Sequence, residues 1–289
     1  MACGSRRARN GRVKEHASGE RSEKPRQRDK RDSAERVYGL AAALAAFEVR
    51  PESVLSIAYA EALRHPLAGL LKSAASRRIA YREVDAESLT RMAQSVHHEG
   101  VCMLLRPRRA PRVPELLESM PEQALLLVLD GVQNPHNIGA ILRSAAYFGA
   151  HGLVYASDER TAGAAAPTLS AAARRVAEGG AEYVPALGVT ALAGVLRDAK
   201  RHGLVVIGSD ARARATSASY VWPARALLVL GHEQHGMSQP VRAQCDQLLR
   251  IDGPGAERID SLNVSVAAGI FMASYASNKA PARKRGARR

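Results

Sequence analysis

The alternation of apolar and polar positions divides the chain into stretches of different character. Residues 1–35 mix Arg, Lys, Ser and Glu without periodicity, so burial cannot offset the entropy of ordering them and a disordered basic tail is expected. Over 36–105 the pattern predicts a helix at 37–47, a strand at 54–59 and a helix at 66–75. A strand at 79–84, a helix at 86–94 behind the cap Asp85, and a strand at 101–105 follow. Such alternation over about 70 residues implies a small three-layer α/β domain.

Residues 106–112 place two prolines among four arginines, a stiff and self-repelling composition that reads as a linker, taken here as 106–123. The run 125–129 is apolar throughout, as in a strand covered on both faces. Helices are expected at 138–148, 168–177, 190–201 and 240–245. Strands are expected at 152–155, 182–185, 204–208, 226–231 and 247–251, before a last apolar helix at 266–275. This order predicts a mainly parallel sheet with its ligand at the carboxyl ends of the strands. No GxGxxG follows any strand, so a Rossmann dinucleotide site has no support. The loop at 158–166 offers no motif.

The net charge of +14 belongs to the ends of the chain. Residues 1–36 carry 12 Lys and Arg against 6 Asp and Glu, and 279–289 carry 6 with no acid. A near-neutral body between cationic arms suits a polyanion; a solubilising role for the arms is the plainer alternative. Cys3, Cys102 and Cys245 are odd in number and form no CxxC, which argues against a disulfide framework or a zinc site and for a reducing compartment. With no apolar run of about 18 residues and no apolar leader, a soluble cytoplasmic protein is expected.

Three segments could carry chemistry. The first, Asn134-Pro-His-Asn-Ile-Gly-Ala-Ile-Leu-Arg143, places Asn137 near a helix start, where a plain N-cap is the simplest role. Its Arg143 lies on an otherwise apolar helix, as either a surface residue or a phosphate clamp. In the second, Leu228-Val-Leu-Gly-His-Glu-Gln-His-Gly-Met-Ser238, Gly231 and Gly236 bracket Glu233, which could equally be a solvated acid. His232 and His235 are three apart on a loop rather than four apart on a helix, so no metal is expected. The third, Asp260-Ser-Leu-Asn-Val-Ser-Val-Ala-Ala-Gly-Ile-Phe-Met-Ala273, sets Asn263 and Ser265 before the apolar helix; capping by Ser261 or Asn263 is the alternative there.

In this order the three segments resemble the motifs of the SpoU (TrmH) branch of the SPOUT superfamily of S-adenosylmethionine-dependent RNA methyltransferases. The resemblance covers roughly residues 124–276, within a domain taken as 124–278 ahead of a basic tail at 279–289. It implies catalytic roles for Arg143, Asn137, Glu233, Asn263 and Ser265. It also implies a donor site at Gly231, Gly236, Ile251, Leu262 and Asn263. A guanidinium does not normally lose its proton, so for Arg143 orientation of phosphate and ribose ranks ahead of base catalysis.

The resemblance further implies a C-terminal trefoil knot, a homodimer whose active site is completed across the interface, and an L30e-like RNA-binding domain at 36–105. The implied substrate is a ribose 2′-hydroxyl of 23S rRNA, with tRNA as the second choice. His97-His98-Glu-Gly100 falls where relatives have a His-x-Gly, with a structural histidine pair as the alternative. Asp252 departs from the family, where proline often follows the isoleucine, and the loop to Ser261 is slightly long. The rival readings are a catalytically silent knotted RNA-binding protein and a base-methylating SPOUT enzyme.

Overall fold

The structure, a computed structural model, describes residues 34–157, 169–256 and 258–277. The expectations for the loop at 158–166, the C-terminal tail and residues 1–33 lie outside the described residues. Glu35, expected within the disordered tail, belongs to a strand.

The first sheet contains β1 (Glu35–Tyr38), β2 (Val54–Tyr59), β3 (Ala80–Glu83) and β4 (Val101–Leu105) in the order β1-β4-β2-β3. β2 and β3 are parallel and the other pairs antiparallel. Helices α1 (Leu40–Val49) and α2 (Ala68–Ser76) bury Ala43, Ala46 and Leu71 against one face, with Ile57 and Met103. Helix α3 (Ala86–Ala93) covers the other face, packing Leu89 on Ala58 and Cys102. Asp85 caps α3 by accepting from Ser88 N at 2.7 Å. The three layers match the sequence expectation, with one correction: Val37 and Tyr38 are strand, not helix. They pair with Met103 and Cys102 of a strand far along the chain, and Gly39, at φ 93°, turns the backbone before α1 starts.

The second sheet is parallel throughout, in the order β7-β6-β5-β10-β8-β11-β9. Its strands are β5 (Ala124–Asp130), β6 (Gly152–Ala156), β7 (Ala186–Val189), β8 (Val205–Ser209), β9 (Ala215–Thr216), β10 (Arg225–Gly231) and β11 (Gln247–Arg250). Every residue of β5 is buried. Successive side chains leave a strand on opposite faces, and both faces of β5 are covered. Leu125, Leu127 and Leu129 meet α5 (Pro135–Phe148), α6 (Ala171–Val176) and α10 (Val264–Ser277). Leu126 and Val128 meet α4 (Val113–Glu118), α8 (Leu192–Arg201) and α9 (Gln239–Arg242).

Two further expectations change here. Helix α4 lies inside the stretch read as a linker, because Leu116 and Leu117 are core residues behind the proline at its second position. The strand expected at 182–185 is instead helix α7 (Gly180–Tyr183), and β7 starts after Pro185. Glu182 is buried and belongs to an ion cluster rather than to a sheet edge.

That cluster joins the two sheets. Arg50, just after α1, contacts Glu35 Oε1 at 2.7 Å and Glu182 Oε2 at 2.7 Å, and Arg174 of α6 contacts Glu35 Oε1 at 2.9 Å. Burial works against the Arg50 charge, but the hydrogen bonds it donates to Glu182 and Glu35 outweigh that and raise its pKa above the ordinary value. Arg175 adds a bond to Glu99 Oε1 at 3.0 Å, while Glu99 Oε2 accepts from Leu40 N at the start of α1. Near the end of the chain, α10 is pinned to the second sheet: Trp222 Nε1 donates to Ser274 Oγ at 3.0 Å, and Tyr275 Oη to the Ala224 carbonyl at 2.7 Å. Among the described residues no helix is long and apolar enough to cross a membrane.

Candidate active site

β5 and β10 are adjacent and in register, with Asp130 opposite Gly231. Their carboxyl ends therefore deliver the loop before α5 and the loop 232–236 to one place, the crevice where open parallel sheets hold ligands. Asp130, buried at the end of β5, accepts from Ser238 N at 2.6 Å and so fixes the start of α9. The hairpin between them is closed by paired backbone bonds between His232 and Gly236, at 3.0 and 2.8 Å. A β-carbon on Gly231 would stand 2.4 Å from the Gly236 carbonyl carbon and the Met237 nitrogen, so the hairpin requires glycine there.

Asn137 is not the N-cap of α5. Asn134 takes that role, accepting from His136 N at 2.9 Å, and leaves the Asn137 side chain for another use. Its Nδ2 donates to Glu233 Oε1 and its Oδ1 accepts from Asn263 Nδ2 at 3.1 Å. Asn263 Oδ1 in turn accepts from Ser265 N at 2.9 Å and Ser265 Oγ at 2.6 Å, at the start of α10. Four of the five expected catalytic residues thus form one hydrogen-bonded run, each amide orienting the next.

Arg143 stands apart from this run. Six residues along a helix of 3.6 per turn leave it about 120° around α5 from Asn137, and its Nη1 pairs with Glu178 Oε1 at 2.7 Å. It shares the exposed side of α5 with Tyr147, which is 84% exposed, and neighbouring α10 exposes Val266 and Ile270. Among the residues expected to hold the donor, Gly231 and Gly236 form the hairpin, Ile251 follows β11 partly buried, and Leu262 is half exposed. Asp252 accepts from Arg250 Nε at 2.6 Å, and Arg250 also bonds the Ala213 carbonyl at 2.8 Å.

His232 and His235 stack with ring centroids 4.8 Å apart. Among the described residues no cluster of His, Cys, Asp and Glu has the makings of a metal site. Burial pushes the Cys102 and Cys245 thiols up to about 11, so neither is a thiolate nucleophile at neutral pH. His98 Nδ1 accepts from Gly100 N at 3.0 Å, a bond internal to its turn. Sequence reasoning missed Asp130, Asn134 and Glu178; the Asp130-Gly131 pair closing an apolar run was the available signal for the first.

The architecture has known counterparts. A profile of the SpoU rRNA Methylase family matches residues 124–273. The chain belongs to that family. A second profile, RNA 2′-O ribose methyltransferase substrate binding, matches residues 36–111. A family relative, the 23S rRNA (guanosine-2′-O-)-methyltransferase RlmB of Nitrosomonas europaea, is 37% identical over 242 residues, covering 82% of this chain and 88% of its own. YfiF of Escherichia coli O157:H7, an uncharacterized tRNA/rRNA methyltransferase, is 34% identical over 86% of this chain and 69% of its own. Among solved structures, the SpoU methyltransferase AviRb of Streptomyces viridochromogenes in complex with AdoMet matches with a TM-score of 0.68 at 25% identity, over 87% of this chain and 93% of its own.

Proposed function

We propose that the protein transfers a methyl group from S-adenosylmethionine to a ribose 2′-hydroxyl of 23S rRNA. The observation that carries this reading is the run Glu233–Asn137–Asn263–Ser265 at the carboxyl edge of the sheet. A scaffold that merely held RNA would gain nothing from orienting these side chains on one another across three separate segments. Bound S-adenosylmethionine supplies an electrophilic methyl; attack by the 2′-oxygen breaks the carbon–sulfur bond and leaves the electron pair on sulfur.

The chain's own residues fit such a donor. The hairpin that follows Gly231 and is closed by His232 and Gly236 brings bare backbone to the edge, and Ile251 and Leu262 are the apolar residues assigned to the adenosine. Asn137, Asn263 and Ser265 hold the acceptor ribose, a carboxylate oxygen of Glu233 takes up its proton, and Arg143 orients the nucleotide as a cation. The position of Arg143 away from the run supports a homodimer, in which the partner's arginine completes each site. The exposed apolar positions on α5 and α10 are the surface for that association. Residues 36–105 act as an L30e-like RNA-holding domain, the basic ends add phosphate attraction, and the C-terminal segment is threaded as a trefoil knot. The enzyme works in the cytoplasm.

Nucleoside mass spectrometry of 23S rRNA from cells with and without the gene tests the reading. Loss of one 2′-O-methylnucleoside is expected; loss of a mass on a base instead would establish the base-methylating alternative. Calorimetry with millimolar S-adenosylmethionine that gave no heat would favour the silent scaffold.

A further inference from the structure

The first sheet is electrically polarised along β2 and β3. At the amino ends of these strands lies a cavity of about 260 Å³ lined by Pro51, Glu52, Leu55, Arg77, Arg78 and Arg106. At their carboxyl ends a second depression is lined by Glu61, Glu83 and Asp85. The six residues of β2 separate the two ends by roughly 17–20 Å at ~3.3 Å per residue.

The arginines of this part of the chain are not used alike. Arg50, Arg64, Arg77 and Arg91 are each paired with a glutamate. Among the described residues, the side chains of Arg78 and Arg106 form neither an ion pair nor a hydrogen bond, and both are exposed at the first cavity. Arg78 is displayed from a left-handed backbone, φ 56°, in the turn between α2 and β3, a conformation that costs free energy for a residue other than glycine, asparagine or aspartate. Arg106 is anchored at the end of β4 by its backbone nitrogen on the Ser53 carbonyl at 2.8 Å. Two guanidinium groups without acid partners among the described residues stand on fixed backbone, flank a cavity and face away from an acidic end, which is the arrangement an anion requires.

We propose that this cavity takes a backbone phosphodiester of the substrate RNA, with Arg78 and Arg106 as its ligands. The acidic end repels the same backbone and thereby sets the direction in which the RNA lies on the sheet. The inference deepens the methyltransferase reading and rests on it for the identity of the RNA.

The test is salt-dependent binding of the full chain to poly(U) and to a 23S rRNA transcript, comparing the parent with Arg78→Asn/Arg106→Gln. Asparagine accepts the left-handed backbone, so the charge is removed without new strain. Affinity is expected to fall at least tenfold near physiological salt. The slope of log K against log salt should shrink by about 0.7 for each single-strand phosphate that the variant no longer neutralises. KM for RNA should rise while kcat at saturating RNA and S-adenosylmethionine affinity stay unchanged. Arg91→Ala, which removes a paired arginine, should leave the slope alone. An unchanged slope in the double variant, or an equal drop in Arg91→Ala, would overturn the site. Failure of the methyltransferase reading would register separately, as intact RNA binding without any 2′-O-methylation.

Discussion

Arg143 Nη1 lies 2.7 Å from Glu178 Oε1, and Glu178 makes this pair from a left-handed backbone at φ 45°. Both side chains are about half exposed, so the pair is worth no more than ~1 kcal/mol and releases its arginine readily. For Arg143→Ala we expect methyl transfer to fall by a factor on the order of 10²–10⁴ with S-adenosylmethionine binding unchanged. Mixing Arg143→Ala with Asn137→Ala subunits should restore roughly a quarter of the sites if the arginine acts across a two-fold interface. No recovery on mixing would place Arg143 in the site of its own chain.

Asn137→Asp sets a second carboxylate against Glu233, where Asn137 now donates. Like charges at that distance raise the pKa of the pair, so a negative charge must be given up or the pair opened at neutral pH. Activity should drop by a factor on the order of 10² near pH 8 and recover in part as the pH falls and one proton returns. A pH–rate profile parallel to the parent's would argue against the role of this hydrogen bond.

Association should depend on the outer face of α5 and α10. Ile270→Glu places a charge one turn from Val266 on the exposed side of α10 and is expected to convert the proposed dimer to monomers in sedimentation velocity, with the circular dichroism spectrum retained. A variant that sediments like the parent would remove this face from the interface.

Glu182 is 4% exposed at its side chain, between two arginines. Glu182→Gln leaves Arg50 and Arg174 sharing the single carboxylate of Glu35, and should cost about 3–5 kcal/mol. Urea unfolding would report this as a lower midpoint at constant slope. Replacing Arg50 and Glu182 together with apolar residues of similar size should recover much of the loss. A midpoint shift below that of an ordinary surface substitution would mean the cluster is hydrated.

Gly231→Ala forces a β-carbon to within 2.4 Å of the hairpin backbone. The hairpin has to open, so calorimetry should show S-adenosylmethionine affinity reduced tenfold or more, with a lower melting temperature. Unchanged affinity would separate the hairpin from the donor site.

Much of this fold was legible because its central elements are defined by local pattern. The run 125–129 reads as a doubly covered strand and is one, whereas the small-residue helix after Ser265, expected to be buried, buries Ala268, Phe271, Met272 and Tyr275 and leaves Val266 and Ile270 exposed. The errors fall where a distant partner decides. Val37 and Tyr38 continue an Ala/Leu-rich stretch and become strand because β4 pairs with them. Residues 182–185 read as a short strand, yet Glu182 is drawn inward by Arg50. At the site, the grouping of Asn137, Glu233, Asn263 and Ser265 was reached through motif resemblance, since nothing in their spacing places residues 126 positions apart within 3.1 Å. The partner of Arg143 had no signal at all, because it depends on a left-handed residue after α6.

The four-charge cluster at Arg50 also bears on how this protein can be rebuilt. Glu35 and Arg50 come from one sheet's surroundings and Arg174 and Glu182 from the other's, so each half is neutral by itself but completes its ion pairing only against the other. A chimera that grafts residues 36–105 onto another catalytic scaffold would leave Glu35 behind and bring Arg50 to a surface without its acids. Transplantation therefore has to move the boundary upstream of Glu35 and import Arg174 and Glu182 with it.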